Sequence, residues 1–204
     1  MSKIQASKFR LSRRVGKSIH GRSNDSINYK NYFCGQHGQT VMRKASEFAV
    51  QLIAKQSLKF CHNITEKQLR NYFKKALQSK GDTGQNLIGL LNSRLDIVMF
   101  QANFSNSIYA ASQLISHGNV LVNGKSVNIR SYLLKASDVI SLSNKAMSFD
   151  IIDVSIQKKE RVVPEYLVTD TTAKTIKFNR VPMVNEVPYA FKPEPHLVVE
   201  YYSR

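Results

Sequence analysis

Acid is scarce where base is abundant. Residues 1–80 hold three carboxylates, Asp25, Glu47 and Glu66, against 17 Lys and Arg, a net of +14. Residues 81–204 are nearly balanced, with 13 basic residues against 11 acidic. The chain as a whole carries +16. Other shortages narrow the field. No apolar run approaches the roughly 20 residues a membrane span needs. Two cysteines, Cys34 and Cys61, cannot build a disulfide framework. All five prolines fall between Pro164 and Pro195, so the late chain reads as loop-rich or as broken edge strands. There is no phosphate-cradling glycine loop, no H-E-x-x-H and no nucleophile elbow.

What is present is local positive charge beyond the needs of solubility. Such asymmetry points to a polyanionic partner. Nucleic acid leads, because each neutralised phosphate releases counterions. An anionic membrane surface is the competitor. The start, MSKIQASKFRLSRRVGKSIHGR, has no acid and has the composition of a mitochondrial transit peptide. Its apolar residues Ile4, Ala6, Phe9, Leu11, Val15 and Ile19 make a weak stripe. The same stretch also reads as a binding arm that orders on RNA.

Periodicity divides the rest. Residues 1–41 are predicted to be extended, with little regular structure. From Ala45 the apolar residues Phe48, Ala49, Leu52 and Ile53 recur at helical spacing and leave Lys55 to another face. TEKQ at Thr65–Gln68 is a capping box opening a helix with Leu69, Tyr72, Phe73, Ala76 and Leu77 inward. Shorter helices are expected over Gln85–Leu91, from Ser93, and from Asn106 to Gly118. The period then becomes two. VLV, the Asn123-Gly124 turn and SVNI predict a hairpin with a primed turn. Further strands are expected at Val139–Leu142, Phe149–Ile156, Val162–Val168 and Leu197–Tyr201.

Several stretches carry a resemblance. RLDIVMFQANF followed by AASQLISHGNVLVNGKSVNIRSYLLKASDVISL resembles the RNA-binding module named after ribosomal protein S4. TEKQLRNYFKKALQSKGDTGQNLIGLLNSRLD is similar to the helical part of the same family. YFCGQHGQT resembles its "PGQHG" segment, and HLVVEYYSR its C-terminus. Together these cover most of residues 1–145 and again 196–204, while 146–190 match poorly. The module alone is shared by many RNA-binding enzymes. Four motifs in the right order are far more specific.

The resemblance implies an α+β protein with an extended basic arm (1–44), a small helical domain (45–91, completed by the tail 190–204), and a module of two helices plus a small β-sheet with a β-rich extension (92–189). It implies a structural protein of the small ribosomal subunit, without catalysis or cofactor. The family binds a multi-helix junction in the 5′ domain of small-subunit rRNA early in assembly. It also lies near the mRNA entry path and influences decoding accuracy. Expected partners are that rRNA, neighbouring small-subunit proteins, those at the entry path among them, and mRNA nearby, with no membrane. The expected location is the ribosome, in bacterial cytoplasm or in an organellar (mitochondrial) matrix.

On this reading the RNA-facing residues of the arm are Lys3, Lys8, Arg10, Arg13, Arg14, Lys17, Arg22, Gln36, His37, Gly38, Arg43 and Lys44. The helical domain adds Lys55, Lys67, Arg70, Asn71, Lys74 and Lys75. The module adds Arg94, Ser107, Gln113, Ser116, His117, Asn123, Lys125, Asn128, Arg130 and Tyr132. Folded RNA is read mainly by shape and phosphate, which suits cations on rigid helices. Gly35 and Gly38 flank His37 and would let backbone approach RNA closely. Tyr29, Tyr32 and Phe33 suit base stacking and packing equally.

Two departures matter. The family commonly carries arginines on the second module helix where this chain has Ile108 and Ser112. Some members bind zinc through four arm cysteines. Here Cys34, His37, Cys61 and His62 have poor tetrahedral spacing, so no metal is expected. Asp96 reads as a salt-bridge partner of Arg94 or a cap, and Asp138 as a turn residue. The rival from the enzyme class is an rRNA- or tRNA-modifying enzyme docking through the same module. It needs a catalytic domain for which residues 146–204 leave little room.

Overall fold

The structure, a computed structural model, describes residues 8–19, 21, 25–40 and 46–203. Lys3, Arg22, Arg43 and Lys44 lie outside the described residues, and of Lys8 only the backbone is described. The architecture is α+β. It separates into two compact units, one of residues 1–87 with 189–204 and one of residues 88–188.

The first unit is helical. Helix α1 spans Lys8–Val15, α2 spans Glu47–Cys61, α3 spans Glu66–Gln78, and α4 begins at Thr83 and ends at Asn92. The starts of α2 and α3 have a chemical cause. The Ser46 hydroxyl accepts from the Ala49 amide at 3.3 Å. Thr65 and Gln68 form the expected capping box, with Gln68 N donating to Thr65 Oγ1 at 3.4 Å and Thr65 N to Gln68 Oε1 at 3.0 Å. Leu69, Tyr72, Phe73 and Ala76 are buried, as their spacing predicts. Leu77 is not; it is 62% exposed.

The arm is more ordered than its composition suggests. Leu11, Val15 and Ile19, spaced four apart, are buried against Phe60, with Ile53 and Cys61 alongside. Of the stripe read as weak, Leu11 and Val15 lie on α1 and Ile19 just beyond it, all three packed against the end of α2; the side chains of Ile4, Ala6 and Phe9 lie outside what is described. Asp25 anchors the following loop. Its carboxylate accepts from Ser12 Oγ at 2.6 Å and Ser18 Oγ at 3.1 Å.

Helix α9, Pro195–Ser203, closes this unit. The sequence reads Leu197–Tyr201 as a strand, because Leu-Val-Val-x-Tyr is β-prone. Packing against α2 and α3 overrides that preference. Val198 is fully buried, Tyr201 lies 5.7 Å from Phe48, and Tyr202 lies 4.9 Å from Phe73 between ring centroids. Pro195 at the first helical position was the available signal.

The second unit holds α5 (Leu95–Gln101), α6 (Ile108–Ser116), α7 (Asn144–Met147) and α8 (Asp150–Lys158) around one sheet. Its strands are β1 (Val120–Val122), β2 (Lys125–Ser126), β3 (Val139–Leu142), β4 (Leu167–Asp170) and β5 (Thr175–Phe178). The order is β2-β1-β3-β5-β4, and every neighbouring pair is antiparallel. The hairpin is as expected: Val122 pairs with Lys125, and the turn residues Asn123 and Gly124 have φ of 50° and 78°.

Two strand expectations fail in the extension. Phe149–Ile156 is helical from Asp150, because Ile152 and Ser155 share a buried face and Asp150 and Asp153 suit the positive N-terminal end. Val162–Val168 is mostly loop, with its strand starting only at Leu167. This β4 pairs with β5, so the extension enlarges the module's sheet. Among the described residues no helix is long and apolar enough to cross a membrane.

Candidate nucleic-acid interface

Helix α3 is the plainest surface for a polyanion. Lys67, Arg70, Asn71 and Lys74 fall at helical spacing on one exposed face, with Lys75 exposed beside them. The opposite face is the buried stripe of Leu69, Tyr72, Phe73 and Ala76. Burial of one face fixes the other, so the cations stand on a rigid support.

In the arm, Arg10, Arg14, Lys17, Gln36 and His37 are exposed. Arg10 and Arg14 line a cavity of about 450 Å³ together with Phe33, Cys34 and Gly35. Two guanidinium side chains beside an aromatic ring suit phosphate and base together. Arg13 has a different task. Its Nε and Nη2 each donate at 3.2 Å, to the carbonyls of Tyr32 and Phe33, and it stacks 4.5 Å from the Tyr32 ring centroid. It folds the loop back onto α1, and Tyr32 serves as its platform. Gly38 is needed for a reason internal to the fold. A Cβ there would collide with the Phe33 carbonyl. Tyr29 is 75% exposed and free to stack.

Lys55 and Arg94 do not belong to any outer surface. Lys55 is 4% exposed, donates to Glu66 Oε1 at 2.9 Å and sits 4.5 Å from the Tyr201 ring centroid. The helix α2 turns Gln51, Lys55 and Leu58 inward while Phe48 stays half exposed. The apolar stripe proposed from the sequence was thus off by part of a turn, because an ion pair and an aromatic ring from α9 receive the lysine. Arg94 is fully buried and pairs with Asp96, Nε to Oδ1 at 3.0 Å and Nη2 to Oδ2 at 2.6 Å. A bidentate pair of this kind meets the charge of both groups inside the unit.

In the module, Gln113, Ser116, His117, Asn123, Lys125, Asn128 and Tyr132 are exposed, and Ser107 and Arg130 are half-buried. Ser107 is the N-cap of α6, accepting from Ala110 N at 3.2 Å. Asn123 is committed to the hairpin. Its Nδ2 donates to Asp138 Oδ1 at 2.9 Å, and its Oδ1 accepts from Val139 N at 3.0 Å. Asp138 is the turn residue its context predicts. Tyr109 stands near Arg130, and burial pushes its hydroxyl above the ordinary range against the pull of that cation. The two departures on α6 have structural consequences. Ile108 is 2% exposed, a core position that an arginine could not fill without disruption, and the Ser112 hydroxyl is buried.

The candidate metal ligands are dispersed among other duties. His62 is buried, with Nδ1 donating to the Leu58 carbonyl at 2.9 Å, which leaves Nε2 to accept from the Tyr189 hydroxyl at 3.2 Å. Burial pushes the Cys61 thiol up to about 12, away from the thiolate a metal needs. Among the described residues no three His, Cys, Asp or Glu side chains converge to hold a metal ion.

Two contributors to the second unit, Arg161 and Tyr166, were not singled out in the sequence. Arg161 reaches back from the extension to the α5–α6 loop, and Tyr166 Oη donates to Gln101 Oε1 at 2.6 Å nearby. No periodic or motif signal marks either residue.

Comparison with known proteins gives the family. The ribosomal protein S4/S9 N-terminal domain matches residues 3–92, and the S4 domain matches residues 93–140. The chain belongs to the ribosomal protein S4 family. Small ribosomal subunit protein uS4 from Brucella ovis and that from Brucella suis are each 48% identical over 205 residues, covering all of both chains. The counterpart from Brucella anthropi is 47% identical over the same span. Within the S4 family match, the α3 face falls in the first matched region. The hairpin and α6 fall in the second. Residues 141–188 lie beyond both domain matches, yet the full-length relatives align across them.

Proposed function

We propose that this protein is a structural, non-catalytic constituent of the small ribosomal subunit that binds the 5′ domain of small-subunit rRNA early in assembly. On this reading it lies near the mRNA entry path and influences decoding accuracy. Its partners are that rRNA, neighbouring small-subunit proteins and nearby mRNA. The α3 face carries the reading: Lys67, Arg70 and Lys74 stand exposed in a row on a helix whose other side is core. The exposed arm cations and the polar module surface add contacts of the same kind. Full-length similarity to proteins named as small-subunit constituents supports the ribosomal setting. Those relatives are bacterial, which favours a bacterial cytoplasmic ribosome over an organellar one.

The test is binding of the full chain to a transcript of the 5′ domain across a salt series. Log affinity should fall linearly with log salt, by roughly 0.7 to 0.9 per phosphate contacted. A flat response, or equal affinity for a transcript of another rRNA domain, overturns the proposal.

A further inference from the structure

The second unit contains a cavity whose rim includes Gln113 and His117, two of the module residues named above. It lies between α6 and the α7–α8 pair and has a volume of about 280 Å³. Ligand sites run from roughly 300 to 1,000 Å³, so this one has room for a single ring system. Its apolar wall includes Phe149, half-buried, and Ile152, fully buried. Its polar lining is Ser105, Gln113, His117, Asn119 and Lys145, and no carboxylate lines it. Gln113, His117 and Lys145 are exposed where it opens, so a polar rim stands over an aromatic and aliphatic wall.

We infer that this cavity receives one unpaired nucleotide of the bound RNA. The base lies against Phe149, and its edge meets the Asn119 amide. The phosphate sits toward Lys145 and His117, both exposed at the mouth. The chemistry selects this occupant over an apolar side chain from a protein. An aliphatic anchor brings nothing to the polar rim or to Lys145 at the mouth. A nucleotide has a flat face for the ring, donors and acceptors on its edge, and a negative charge. Single-stranded RNA is read in this way, with bases splayed out and stacked on aromatic side chains. The inference rests on the reading that the chain binds RNA. It adds a discrete base-reading site to a surface otherwise suited to phosphate.

Two arms test it. In the first, the full chain with labelled Ile methyl groups is titrated with adenosine 5′-monophosphate and, separately, with ribose 5-phosphate, each to about 10 mM, since a lone nucleotide binds weakly. The methyls of Ile151 and Ile152 should shift with the nucleotide and not with the sugar phosphate. No shift, or the same shift with both, overturns the proposal. A shift produced only by an amphipathic peptide also overturns it and assigns the cavity to a protein partner. In the second arm, Ala110→Trp fills the cavity and Phe149→Leu keeps an apolar wall but removes the ring. Loss of a stacked base should weaken binding of the 5′-domain transcript about tenfold in each, with the salt slope flattened by no more than about 1. If the unaltered chain binds the transcript and both variants match it, the cavity site is wrong while the wider RNA reading stands. If the unaltered chain shows no salt-dependent binding, both fall. The nucleotide titration needs no variant, so misfolding of either substitution leaves a decisive measurement.

Discussion

The Arg161 guanidinium lies 3.8 Å from the centroid of the Phe100 ring and donates into the loop that follows it. Its acceptors are the carbonyls of Phe100 at 3.2 Å, Ser105 at 3.3 Å and Asn106 at 3.0 Å, with Asn103 Oδ1 at 3.4 Å. Asn103 Nδ2 returns a bond to the Arg161 carbonyl at 2.8 Å. One side chain thus fixes the turn between α5 and α6 and ties the extension to it. Only a planar fork can reach acceptors in so many directions. Arg161→Lys should therefore cost about 2 kcal/mol and Arg161→Ala about 3 kcal/mol, read from urea unfolding. Shifts under about 0.5 kcal/mol for both would show that the loop holds without it.

Arg94 and Asp96 make a second, sharper case. Both side chains are fully buried. Asp96→Asn leaves a guanidinium inside the unit without its counter-charge and should cost about 3–5 kcal/mol. The pair Arg94→Met with Asp96→Leu should recover most of that loss, because no charge is then stranded. Denaturant midpoints of the single and double variants decide the matter. Equal losses in both would contradict the charge argument.

Glu66 links stability to pH. Burial opposes ionisation of its carboxyl. Hydrogen bonds from Lys55 and Tyr202, the Lys55 charge and the bond from Lys59 outweigh this, and the carboxyl sits below its ordinary range. The folded pKa is thus lower than the unfolded one, which is about 4.3. Its stabilisation is complete above that value and fades as pH falls through the folded pKa. Between neutral pH and about pH 3.5 the wild type should lose more stability than Glu66→Gln does. Parallel loss in the two proteins would remove Glu66 from the account.

Lysines on α3 and α2 should behave oppositely. Lys67→Ala, Arg70→Ala and Lys74→Ala together remove exposed charge and should leave unfolding within about 0.5 kcal/mol per site. They should also flatten the salt slope of rRNA binding by about 2–3. Lys55→Ala strands part of the Glu66 network and should cost about 2 kcal/mol, with the salt slope intact. Chemical denaturation and a salt series on the same preparations separate the roles. A slope change for Lys55→Ala, or none for the α3 variant, would reverse the assignment.

Local signals were the legible part of this chain. The capping box at Thr65 and Gln68, the stripe from Leu69 to Ala76 and the Asn123-Gly124 hairpin are all written in a few adjacent residues, and all form as read. The failures share a cause. Lys55 is turned inward by Glu66 and by Tyr201, which lies 146 residues away. Leu197–Tyr201 becomes helical because α2 and α3 offer it a surface. The arm helix gains a partner in Phe60. Arg94 looked like one more surface cation because Asp96, two residues on, carries no periodic mark of burial. Each error replaced a distant contact with an average expectation for that residue type.

Gln51 Nε2 donates to Glu200 Oε2 across 149 residues of chain. Synthesis runs at about 5–20 residues per second, so roughly 7–30 s separate the emergence of these partners. During that interval the whole of residues 88–188 appears and has all it needs to fold. The helices that precede it must wait, with the seat for α9 still vacant. A nascent chain of this protein is thus incomplete longest at its beginning, where α2 lacks its late partner.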